Sequence, residues 1–346
     1  MADKYWVGNG GAWSDDDNHW ALASGGAPGD GNIPTSADDV YFDANSFNAA
    51  AQVVEVDGTS SCRSIDWTGA TNTPAFAKTN QLNVYGSITF IPSMTISGTG
   101  KLYLLGAGNT HNITSAGKTI TGNLHQVGNG STLNMLDNLT VTVYIILESG
   151  NLTTNNFDIT TPSLNWNYAA TRVVNLGSST INLSGYLLIS GAGMTFNAGT
   201  STIKLTGTAF LTGLNTVFNK VELNGTAHTI DGDNTIAHLT LGGTTQTITF
   251  TDGTTQTIQH LTRSTGIDVK TLVGTAAAGW AMVRSGSNTI GLDYLALSYS
   301  NVTPAKTWYA GKHSTDTVGN SGWVFTDPPT TQGWLVTGTM HLHRAG

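Results

Sequence analysis

Between Leu124 and Leu261, short apolar-polar-apolar segments closed by Gly or Asn return at a nearly constant interval. Leu183 in Ile181-Asn182-Leu183-Ser184-Gly185, Leu205 in Ile203-Lys204-Leu205-Thr206-Gly207, Leu223 in Val221-Glu222-Leu223-Asn224-Gly225 and Leu241 in Leu239-Thr240-Leu241-Gly242-Gly243 hold equivalent places. Their separations are 22, 18 and 18 residues. The same beat runs upstream through Leu124, Ile145 and Leu164, and downstream to Leu261. One strand per period of about 20 residues predicts a solenoid.

The spacers decide which solenoid. Runs such as Thr244-Thr245-Gln246-Thr247 and Thr251-Asp252-Gly253-Thr254-Thr255 disfavour the helical segment of a leucine-rich repeat, because Thr suits strands and Asn and Gly suit turns. The expected fold is all-β: a single-stranded parallel β-helix with two or three short strands per coil. Parallel crossovers are strongly biased to the right hand, so a right-handed helix is expected. Alternation points Ile203 and Leu205 inward and Lys204 and Thr206 outward, and a one-residue slip would expose the whole apolar set.

The ends have a different texture. Tyr5, Trp6, Trp13, His19 and Trp20 crowd the start, and an open solenoid end needs such a plug for its apolar lumen and unpaired strand edges. Asp38-Asp39-Val40-Tyr41-Phe42-Asp43 reads as a strand leading into the coils; Val53 to Asp57 and Cys62-Arg63-Ser64-Ile65-Asp66-Trp67 read as the first regular ones. Trp308, Tyr309, Trp323 and Phe325 are expected to close the distal end. Pro328-Pro329 makes residues 326 to 331 a stiff linker. Beyond it Trp334, Val336, Met340 and Leu342 alternate with Leu335, Thr337, Thr339, His341 and His343, predicting a strand outside the solenoid that docks on another subunit or virion protein, with folding back on its own solenoid as the competing reading. The expected organisation is an aromatic cap over 1–45, the β-helix with its distal cap over 46–326, and linker plus docking strand over 327–346.

The string Tyr5-Trp6-Val7-Gly8-Asn9-Gly10-Gly11-Ala12-Trp13-Ser14, then His19-Trp20, Ser24-Gly25-Gly26, Pro34-Thr35 and Asp38 to Asp43, resembles the opening of a group of β-helical proteins of bacteriophages and secreted bacterial surface proteins. Trp308-Tyr309-Ala310-Gly311, Ser314-Thr315-Asp316 and Asn320-Ser321-Gly322-Trp323-Val324-Phe325 resemble the closing segment of the same group. The resemblance brackets almost the whole chain and implies fold and virion or surface context. It carries no catalytic residue.

Composition narrows the function. Charged residues make up 10% of the chain, against roughly 25% in ordinary soluble proteins, so the outside must be mainly Thr, Asn, Ser and Gly. Such a face suits sugars or regular protein contacts. A net charge of -8 without a basic stripe disfavours nucleic acid. The single cysteine, Cys62, makes no intramolecular disulfide and reads as a buried strand residue. No apolar run is long enough for a membrane helix, and Met1 to Trp6 lacks a signal-peptide layout, so either the start has been trimmed or the product is made and kept in the host cytoplasm until it is assembled or released.

Candidate chemistry is sparse. Depolymerases on β-helices use paired carboxylates, or a carboxylate with a cation, in a groove along the coils. Glu222, Asp231, Asp233, Asp252 and Arg263 are the candidates, with His228 and His238 nearby, and turn or surface duty is the competing reading. Asp15-Asp16-Asp17-Asn18 offers oxygens for a calcium loop, although a solvated turn explains it as well and the EF-hand pattern is absent. His341 and His343 share a face of the terminal strand; in a trimer six imidazole nitrogens could surround one octahedral metal, against the plainer reading of an exposed polar face. No dinucleotide, phosphate-loop or nucleophile-elbow motif occurs, and no cofactor is expected.

The expected protein is a bacteriophage virion structural component: a tail fibre, spike, or capsid decoration such as a head fibre. It would form a homotrimer on the virion surface, dock on other virion proteins through its C-terminal strand and contact host glycans. A tailspike polysaccharide depolymerase and a secreted bacterial adhesin are the alternatives.

Overall fold

The computed structural model describes residues 2–329 except 191 and 214, and within them the chain winds as a parallel β-helix. Each coil has three faces. First-face strands run from Asp3–Trp6 through Asp39–Tyr41 and Ile65–Asp66 to Met194–Asn197. The second face starts as a 4-stranded sheet, Gly11–Ala12 to Thr95–Ser97, and continues as a 10-stranded sheet from Thr119–Ile120. On the third face 13 strands stack without interruption from Ser60–Cys62 to Thr315–Val318. The one helix among the described residues is the four-residue turn Asp16–His19.

The leucine beat is real, and it is two ladders rather than one. Leu183 pairs with Leu205, Leu205 with Leu223 and Leu223 with Leu241 on the second face, all four fully buried. Leu124, Ile145 and Leu164 belong to the third face, where the column continues through Leu187, Leu211 and Ile230. Leu261 stacks on Leu239, while Leu241 meets Arg263, whose guanidinium donates to the carbonyls of Asp293 (3.0 Å) and Asp268 (2.8 Å). The two 18-residue intervals have a cause. In Thr216–Leu223 and Asn234–Leu241 the first- and second-face strands fuse into one strand of 8 residues, deleting the turn that elsewhere separates them.

Glycine closes the periodic segments because the corner there has no room. A Cβ on Gly207 would lie 2.1 Å from the Ser184 carbonyl oxygen, on Gly225 2.0 Å from that of Gly207, and on Gly243 2.4 Å from that of Gly225. Such close corners leave carbonyls facing inward, and buried polar side chains meet them. Gln246 donates to the carbonyls of Leu223 and Gly225, both at 3.2 Å, and the Lys270 ammonium to those of Gly243 and Thr244. Lys78 does the same elsewhere, spanning to Gly100 and, at 2.7 Å, to Thr121 two coils on. Arg172 is fully buried and donates to the carbonyls of Trp166 and Tyr168.

The aromatic cap is wound into the coils rather than set on top of them. Asp3–Trp6 pairs in parallel with Asp39–Tyr41 and Gly11–Ala12 with Val53–Glu55, so the sheets cross residue 45 unbroken. Trp20–Ala21 then runs antiparallel along Asp3–Trp6 and covers the open edge. Trp6, Trp13 and Trp20 are fully buried; Trp6 stacks on His19 at 4.4 Å, and Phe42 on Trp67 at 3.7 Å. At the far end Trp308 pairs in register with Trp323 at 5.6 Å between rings. The segment from Cys62 to Trp67 is not one strand: Ser60–Cys62 and Ile65–Asp66 lie on different faces, with Arg63 and Ser64 turning the corner. The expected docking strand with Trp334, Val336, Met340, Leu342, His341 and His343 lies outside the described residues.

Leu205→Ala should cost about 2–5 kcal/mol and Gly225→Ala about 1–3 kcal/mol, whereas outward Thr240→Ala should stay within about 0.5 kcal/mol; urea unfolding measures all three. Burial pushes the Lys78 ammonium down to about 8 from an ordinary 10.5. The unfolded chain therefore binds the extra proton between those values, and stability should rise with pH across that window. Lys78→Met should flatten the rise in urea melts taken from pH 7.5 to 10; an unchanged slope would refute the assignment.

Candidate functional site

Because hydrogen bonds along the axis fix the register, outward side chains of the second face form columns as regular as the buried ones. One column runs Thr140, Thr160, Asn182, Lys204, Glu222, Thr240, Thr262. Two residues earlier in each strand, a parallel column runs Thr180, Thr202, Lys220, His238, His260. The coil spacing of about 4.8 Å sets the step. Between the second and third faces the first column borders a groove of about 330 Å³, lined by Val141, Thr142, Thr160, Thr161, Pro162, Asn182, Ser184 and Thr206. Its lining mixes the Pro162 ring with hydroxyls and one amide, over the buried Val141.

Directly beyond that groove the hydroxyl columns become charged. Asn182 is in register with Lys204, and Lys204 with Glu222. Glu222 binds Lys220 at 2.6 Å, and that hydrogen bond holds its carboxyl below the usual range. Among the described residues Lys204 has no ion-pair partner. His238 and His260 stack at 4.8 Å, inclined by 10°; burial, then His260 and Lys220, push the His238 imidazole down. Thr240 and Thr262 exchange a hydroxyl hydrogen bond at 3.1 Å.

The other expected carboxylates do not join Glu222. Asp231 ends the third-face strand Ala227–Asp231. Asp233 accepts the Thr255 N–H at 2.7 Å, and Asp252 accepts those of Ala276 (2.9 Å) and Gly279 (3.2 Å), so both brace turns of the next coil. Arg263 is engaged by carbonyls and lies over the Tyr294 ring. His228 is buried and accepts the Gly225 N–H through Nε2 at 3.1 Å; burial pushes its pKa down, which keeps it a neutral acceptor. Of the expected residues, the structure brings Glu222 and His238 to one surface.

Two further surfaces escape sequence reasoning. A polar groove of about 390 Å³ lies at another corner among Ser36, Arg63, Ser64, Tyr85, Gly86, Ser87, Asn109 and Thr110, where Arg63 is held by Asp39. On the outer third face Tyr103 stacks on His125 at 4.4 Å, Tyr144 lies 5.7 Å from Tyr186, and Phe210 is 49% exposed. Their alternation with buried leucines was the available signal. Near the cap the acidic run forms a helical turn, with Asn18 donating to Asp15 at 2.9 and 3.0 Å and Gly31 N–H to Asp16 at 2.7 Å. The carboxylates that converge there are Asp16, Asp17 and Asp30, with ligand oxygens within 4.8 Å; Asp15 is not among them.

Compared with known proteins, the chain matches no family model, no curated protein and no solved structure.

Removing Lys220 takes away the bond that favours the Glu222 carboxylate. Lys220→Ala should therefore move the Glu222 titration upward, read by NMR of the side-chain carboxyl, with a stability loss of no more than about 1 kcal/mol at neutral pH.

Proposed function

We propose that this chain is a structural protein of the bacteriophage virion surface, projecting as a tail fibre, spike or head decoration and holding host glycans without cleaving them. One observation carries the reading: thirteen third-face strands stack without interruption, a column of about 60 Å at the usual strand spacing. A column braced by axial hydrogen bonds and closed by tryptophans at both ends is suited to bearing load and presenting a repetitive outer surface. The resemblance of the two end motifs to β-helical phage and surface proteins supports the virion setting. On this reading the protein is made in the host cytoplasm, assembles as a homotrimer and meets other virion proteins through the segment containing Trp334, Val336, Met340 and Leu342.

Binding without cleavage is supported by the placement of the acids. Glycoside hydrolysis by paired carboxylates needs two of them roughly 5–9.5 Å apart across the sugar. In the two second-face columns Glu222 stands as the single carboxylate, and Lys220 already binds it.

Mass spectrometry and antibody labelling of purified particles should find the protein on the virion exterior; its restriction to the soluble lysate of infected cells would sink the reading. Deleting residues 327 to 346 should leave the melting of the solenoid nearly unchanged while abolishing the trimer in sedimentation. Host polysaccharide incubated with the protein should release no new reducing ends. Release that Glu222→Ala suppresses would make the protein a depolymerase instead.

A further inference from the structure

We propose that the second-face track binds a linear, carboxylate-bearing glycan, with sugar rings lying in the groove beside Thr160 and Asn182 and a carboxylate on the Lys204 ammonium. The proposal rests on the glycan-holding part of the function above and names its site and ligand class.

The groove has the two-sided chemistry of a pyranose. Pro162 supplies apolar surface for a ring face, with Val141 buried in the core behind it, and Thr160, Asn182, Ser184 and Thr206 supply hydroxyls and an amide for its edge. Small-molecule sites are usually concave, apolar in part and finished by a few polar groups. The groove follows the solenoid axis across successive coils, because Thr160, Asn182 and Lys204 lie in one register line. A linear chain laid along it reaches Lys204 next.

Charge selects the ligand class. Most cations of this chain are already engaged. Lys78 and Lys270 are buried against carbonyls, Arg63 is paired with Asp39 and Lys220 with Glu222. Lys204 sits in line with the groove and, among the described residues, makes no direct ion pair, its charge acting at longer range on Glu222 in the next coil. One available ammonium beside a neutral groove fits a polymer with an anionic group on some of its sugars. A nucleic acid carries a phosphate at every step and would need a run of cations. A protein partner would need large apolar anchors, which the rim lacks.

The test is binding by isothermal titration calorimetry to oligosaccharides of hyaluronan, polygalacturonate and polysialic acid, each beside its carboxyl-reduced counterpart. We expect at least one acidic form to bind, and to bind roughly two- to fivefold more tightly than its reduced form. Lys204→Ala should remove that preference and leave binding of the reduced form unchanged, as a pairwise cycle requires. Thr160→Tyr, which fills the groove from an exposed position, should abolish binding of both forms; circular dichroism melts confirm that each variant is folded. The proposal is overturned if no acidic oligosaccharide binds, if reduced forms bind as well as acidic ones, if Lys204→Ala changes nothing, or if single-stranded DNA binds equally. Virion location is read independently by particle labelling, so failure of the site and failure of the wider function are distinguishable.

Discussion

Hydrogen bonds that run along the axis force each coil to stand over the previous one residue for residue. That register, more than any single contact, is what the fold depends on. It places like over like inside, where Leu183, Leu205, Leu223 and Leu241 form an unbroken column away from water. Each rung then loses apolar surface to the one above and the one below, so burial accumulates along the column and no coil is stable alone.

The same register creates problems that particular residues solve. Corners where coils approach most closely admit only glycine, as at Gly207, Gly225 and Gly243, and leave carbonyls pointing into the lumen. Gln246 and Lys270 serve such corners as internal donors, and Lys78 does so at Gly100 and Thr121. A buried ammonium is costly in an apolar interior, and several carbonyl oxygens around it offset that cost without introducing a counter-charge. The ends need a different solution, because a solenoid has no neighbour there. Tryptophans fill the lumen at both ends, and at the N-terminal end the antiparallel Trp20–Ala21 strand also blocks the edge against pairing with another chain.

Outside, register turns scattered polar residues into lines. Thr160, Asn182, Lys204 and Glu222 are about 20 residues apart in the chain and adjacent in space. The surface repeats with the coil and acquires direction where hydroxyls give way to charges. Asp233 and Asp252 show the opposite outcome: acids at corners accept N–H groups of the next coil.

The alternation in Ile203-Lys204-Leu205 and its recurrence were enough to read the parallel β-helix, the inward residues and the plugged ends, because side-chain period and repeat length are local properties of the chain. The sequence could not say that Leu124 and Leu183 lie on different faces, that Cys62 and Ile65 are parted by a corner, or that two coils are short because strands fuse; each depends on where the backbone bends. For Asp233 and Asp252 the residue types left turn duty and chemistry both open, and only packing shows which N–H groups of the next coil they accept. Local pattern determined that the chain winds and which side chains turn inward. The tertiary structure decided which distant residues become neighbours, because register between coils is set by hydrogen bonds the sequence does not display.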